Sequence, residues 1–73
     1  MEIILYVQPN IKGKVVEKRL LEVIHDIGLA ANVQILHTTS VAGVFYTPTL
    51  IVDNKVVSSG KVLSKQEMTH FFI

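Results

Sequence analysis

The stretch Tyr46-Thr47-Pro48-Thr49-Leu50-Ile51-Val52-Asp53-Asn54-Lys55-Val56-Val57 limits the folds open to this chain more than any other. Pro48 has no N–H to give to a sheet ladder, so it belongs at the first residue of a strand. Its ring pushes Thr47 out of helical conformations. Leu50, Ile51 and Val52 then run without alternation, the pattern of a strand covered on both faces. Asp53-Asn54 tolerates the left-handed conformations of a tight turn, and Lys55-Val56-Val57 returns. The stretch predicts a hairpin with a proline at its mouth, packed under helices.

The remaining elements follow in order. Glu2 to Val7 reads as a first strand that ends at Gln8-Pro9. Asn10 is placed as an N-cap. Val16, Leu20, Val23, Ile24 and Ile27 recur at the spacing of one helix face within Ile11 to Leu29, and Gly28 stands where a left-handed cap ends a helix. Asn32 to His37 predicts a second strand, parallel to the first because the intervening helix is long enough to be a crossover. Thr38 to Gly43 predicts a loop or one short turn, and Ser58-Ser59-Gly60 ends a fourth strand. Ser64-Lys65-Gln66-Glu67 has the form of a capping box, with Leu63 and Met68 as its hydrophobic staple. Met68, Phe71 and Phe72 are expected to dock the last helix on the sheet.

Seventy-three residues predict one domain over 1–73, with roughly 60% of the unfolded surface buried. An apolar fraction of 49% argues for a packed core, and a formal charge of +1 supplies no strong field for nucleic acid or a membrane surface. The apolar runs fall short of the ~20 residues that span a bilayer. Glu2 and only five apolar residues after it do not make a signal peptide, so a soluble, cytoplasmic protein is expected. There is no cysteine. That excludes disulfide staples, a thiolate nucleophile and cysteine-ligated zinc or iron–sulfur clusters.

The run from Thr47 to Phe72, with Gly60 and the Leu63-Ser64-Lys65-Gln66 helix start, resembles the C-terminal half of the thioredoxin fold. Ile4-Leu5-Tyr6 and Ala42-Gly43-Val44 are similar to the minimal thioredoxin-like, glutaredoxin-like branch, the small redox-active disulfide proteins. The resemblance implies a four-stranded mixed sheet in the order strand, helix, strand, loop, strand, strand, helix, with helices packed on it. It also implies a cis bond before Pro48, with the Thr47 backbone turned outward toward an extended partner.

In that family a Cys-x-x-Cys pair occupies the start of the first helix, where free amides and the helix dipole stabilise a thiolate. The matching positions are Asn10 and Gly13, so no catalytic residue and no cofactor is expected. Restoring cysteines at both positions is the expected test of whether the scaffold remains competent. The surviving backbone predicts a binding groove made of Pro9, Asn10, Ile11, Lys12, Gly13, Tyr46, Thr47 and Pro48. Its partner would be an extended peptide or a protein, with glutathione as the small-molecule ligand the resemblance implies. The alternatives are a disulfide or glutathione-linked oxidoreductase working with a partner's cysteines, and a structural subunit that dimerises through an exposed edge or aromatic patch.

Other residues carry bland readings beside functional ones. Lys12 and Lys14 either help hold an anion at the helix start or are solvated loop charges. Tyr6 occupies the position of a catalytic tyrosine in some glutathione transferases, but this chain lacks their helical domain, and a core tyrosine is expected. One of Phe45 and Tyr46 is expected to be exposed, since neighbours in extended chain face opposite ways. His25, His37 and His70 come from three elements with no ligand spacing, so no metal site is expected.

Overall fold

The computed structural model describes residues 1–37 and 46–73. The loop or turn expected over Thr38 to Gly43, the Ala42-Gly43-Val44 segment and Phe45 lie outside these residues. The elements are β1 (Glu2–Val7), α1 (Ile11–Ile27), β2 (Asn32–His37), β3 (Thr49–Val52), β4 (Lys55–Ser59) and α2 (Lys65–Phe72). They form a four-stranded mixed sheet in the order β2-β1-β3-β4. β1 pairs parallel with β2, as the crossover length requires, and antiparallel with β3.

The hairpin forms at the expected place. Asp53 and Asn54 both adopt positive φ, 50° and 67°, which suits a two-residue turn between strands of right-handed twist. Asp53 also ties the hairpin to the first strand: its N–H donates to the Glu2 carbonyl and its carboxylate accepts from the Glu2 N–H, each at 2.8 Å. The β3–β4 ladder slips by one residue between Leu50 and Ile51, so Val52 faces Lys55 while Leu50 faces Ser58. Pro48 stands one residue before β3, and its bond to Thr47 is cis.

α1 ends as its sequence predicts. Gly28 turns left-handed at φ 64°, its N–H reaches the His25 carbonyl, and the Leu29 N–H reaches the Ile24 carbonyl, the double closure of a helix stop. α2 begins with a complete capping box: the Glu67 N–H donates to the Ser64 hydroxyl and the Ser64 N–H to the Glu67 carboxylate, both at 3.1 Å. Leu63 and Met68 are buried beside it as the staple.

Ile3, Leu5 and Val7 alternate along β1 onto one face, where they meet Leu50 of β3, Val16, Leu20 and Val23 of α1, and Leu63 and Met68 at α2. Both helices therefore cover the same face. This corrects two expectations. Among the described elements β3 has helices over one face only: Leu50 is buried in the core, while Ile51 turns away from it and is half-buried. Phe71 does not dock, being 36% exposed, because Met68 and Phe72 are one helical turn apart on the core side and Phe71 falls off it.

α2 is further fastened to α1. Arg19 donates to the Leu63 carbonyl at 3.0 Å, and Lys65 lies 3.4 Å from Asp26 and 3.6 Å from Glu22. Among the described residues no helix is long and apolar enough to cross a membrane.

Candidate functional site: a groove at the start of the first helix

The chain between β1 and α1 makes a tight turn on Pro9. The Asn10 N–H donates to the Gln8 carbonyl at 2.8 Å, a three-residue closure for which proline has the right φ in advance. Asn10 is extended, and its side-chain oxygen accepts from the Gly13 N–H at 2.8 Å, the expected N-cap. Its amide nitrogen donates to Gln8 Oε1 at 3.0 Å. Both ends of the Asn10 side chain are therefore committed inside the loop.

The same turn swings the Gln8 carbonyl over Gly13. A Cβ on Gly13 would stand 2.0 Å from that oxygen, far inside contact distance, so this position admits glycine alone unless the loop opens. Restored cysteines at Asn10 and Gly13 would thus be a test of loop rebuilding, not of a preserved site. With glycine at this position, the Gln8 carbonyl occupies the space where a side chain would stand.

The opposite wall is the Thr47–Pro48 turn. Thr49 is fully buried, and its hydroxyl donates to the Tyr46 carbonyl, bridging the residues on either side of the turn. Ser59 Oγ lies 3.2 Å from the Thr49 hydroxyl and accepts from the Tyr46 N–H at 3.1 Å. The Gly60 N–H donates to the Pro48 carbonyl at 2.8 Å. Gly60 has φ 76°, and a Cβ there would stand 3.1 Å from the Tyr46 Cβ, so glycine serves both the conformation and the close approach.

Between the walls lies a cavity of about 700 Å³, lined by Gln8, Asn10, Ile11, Lys12, Gly13, Thr47, Pro48, Gly60 and Val62. Six of the eight residues expected from the sequence meet here. Pro9 shapes the loop from outside, and Tyr46 stands behind Gly60 with 76% of its surface exposed. Gln8, Gly60 and Val62 are additions. Ser58-Ser59-Gly60 reads as a strand end, but an unslipped hairpin would set Ser59 opposite Pro48; the one-residue slip in β4 sets Gly60 there.

Among the described residues the lining is neutral apart from Lys12, and the first turn of α1 has no acidic residue. Lys14 does not line the groove; it lies on the outer side of α1 among Glu17, Lys18 and Glu22. Acid is present at the other helix start. The Lys61 ammonium against the Glu67 carboxylate, with the Ser64 N–H, lowers Glu67 from the usual 4.5 to about 2.

The remaining candidates lie away from the groove. Tyr6 corrects the expectation of a core tyrosine: it is half-buried on the sheet face opposite the helices, because β1 alternates and Leu5 and Val7 take the core side. His37 pairs with Glu17 at 2.7 Å, while His25 and His70 are exposed.

No curated protein and no solved structure matches the chain. A family model, described as a thioredoxin domain, matches residues 1–73. With its mixed four-stranded sheet and two helices on one core, the chain belongs to the thioredoxin domain family, as a member without cysteine.

Proposed function

We propose that this thioredoxin domain is a redox-inactive binding module that holds an extended peptide or a segment of another protein in the groove between α1 and the Thr47–Pro48 turn. The observation that carries the reading is the groove itself: about 700 Å³ of open space persists where the loop has no thiol to offer. Cavities of this size suit a short segment of chain, which buries apolar surface against a few placed polar groups. Thiol–disulfide exchange needs a thiolate on the attacking chain, and these 73 residues contain none. The Thr47 backbone beside Pro48 supplies an edge to which an extended strand can add by main-chain hydrogen bonds.

The test is a two-dimensional amide NMR titration of the labelled protein with glutathione and, separately, with an unfolded extended peptide. Shifts confined to Asn10 to Gly13, Thr47, Thr49 and Gly60 are expected with the peptide. Absence of groove shifts with the peptide at millimolar concentration overturns the reading, whatever glutathione does. A disulfide-reductase assay with dithiothreitol is expected to give no rate above the protein-free background.

A further inference from the structure

Exposed apolar side chains are normal on a protein surface, but two of those described, Ile11 and Val62, line the groove from separate segments. Ile11 opens α1 and is 80% exposed, because the first helical position points away from the core that begins at Gly13 and Val16. Val62 is 41% exposed on the far side, and Tyr46 rises behind Gly60. Neither Ile11 nor Val62 belongs to the core. Among the described residues the one charged group lining the same space is Lys12; no described carboxylate lines it, and no acidic residue sits in the first turn of α1 to offset that charge.

We infer that the groove selects a segment presenting an apolar side chain to Ile11 and Val62, flanked by a carboxylate that meets Lys12. This rests on the groove being a peptide site and names what that peptide must carry. The apolar side chain supplies affinity by covering Ile11 and Val62. The carboxylate supplies preference, since an exposed ion pair adds little affinity but rejects a like charge. A basic segment would set its charge against Lys12 with no acid among the described lining residues to compensate.

Four blocked pentapeptides, identical except for a central triplet of Glu-Leu-Glu, Gln-Leu-Gln, Lys-Leu-Lys or Glu-Ser-Glu, test it by amide NMR titration in low salt. Symmetric flanks make the result independent of chain direction. Glu-Leu-Glu is expected to bind about two- to fivefold tighter than Gln-Leu-Gln, with Lys-Leu-Lys weaker than both. Glu-Ser-Glu is expected to bind about tenfold weaker than Glu-Leu-Glu. The Glu-over-Gln preference should shrink at roughly 1 M salt, where the Debye length is about 3 Å, and should vanish in Lys12→Gln. Equal binding of all four peptides at the groove overturns this inference and leaves the peptide-site reading standing. A Glu preference that survives in Lys12→Gln overturns the role of Lys12. Failure of all four to shift any groove amide overturns both.

Discussion

At the start of α2, Ser64 and Glu67 exchange hydrogen bonds, Lys61 closes on the carboxylate, and Arg19 and Lys65 tie the turn to α1. At the start of α1, Asn10 caps the turn, the first turn has no acidic residue, and Ile11 and Lys12 are exposed. Both ends meet the same requirement, since the first amides of any helix lack partners within it. The α2 end meets it with its own side chains and is spent on holding the fold together. The α1 end caps the same amide through Asn10 and pairs the Asn10 N–H with the Gln8 backbone, but among the described residues it is tied to no other helix and faces a groove. The difference is what the proposed binding role of the α1 end rests on: its first turn lines a groove, whereas that of α2 is tied into the fold.

The largest expected effect breaks the α1 side. Gly13→Ala places a methyl group against the Gln8 carbonyl, and the resulting overpacking is expected to cost about 2–3 kcal/mol. The helix-propensity gain from glycine to alanine is about 1 kcal/mol and does not offset it. At α2 the exposed Gln66→Ala should change stability by less than about 0.5 kcal/mol. Urea midpoints of the two variants decide the matter, and a Gly13→Ala protein as stable as the parent would show that the loop opens freely.

Removing the caps sharpens the comparison. Asn10→Ala is expected to cost about 2 kcal/mol and Ser64→Ala about 1 kcal/mol, the upper and middle of the usual range. Asn10 stands higher because its side chain bonds both Gly13 and Gln8, whereas Glu67 still reaches the Ser64 N–H when the hydroxyl is gone. Denaturation giving the reverse order would assign the stronger cap to α2.

One acid-dependent contribution lies at the start of α2, where Lys61 and the Ser64 N–H hold the Glu67 carboxyl low. Glu67 titrates at about 2 in the folded chain and near 4.5 when unfolded, so its contribution is complete above about 4.5 and is lost as pH falls toward 2. Stability measured from pH 7 to 2 should therefore converge for the parent and Glu67→Gln at the acid end. Parallel curves throughout would remove Glu67 from the account. The smallest effect is Lys12→Glu, which gives α1 the acid it lacks. It should raise the unfolding free energy by about 0.5 kcal/mol through the helix dipole, read from denaturant melts, while reversing any preference of the groove for acidic peptides.

The elements and the two caps were legible because each is specified locally. Asn10, Gly28 and Ser64-Glu67 act within one turn of themselves, and the 3.6-residue spacing from Val16 to Ile27 needs no partner to be recognised. Six groove residues were legible from the family pattern. Gln8 was not, because its part is played by a backbone carbonyl, which side-chain chemistry does not reveal. Val62 was not, because an exposed valine between two strand and helix signals carries no pattern of its own. Phe71 and Tyr6 misled because an aromatic residue looks equally buried in sequence whichever side of its helix or strand faces the core.

The sequence by itself determined the order of elements, the hairpin turn, the helix limits and the absence of thiol chemistry, since these rest on local backbone preference and on which atoms exist. Only the tertiary structure decided that both helices share one face, that the β4 slip brings Gly60 against Pro48, and that the Gln8 carbonyl fills the space beside Gly13. Those outcomes depend on how distant segments pack at ångström separations. A one-residue register shift or a turned carbonyl alters them without changing any local signal.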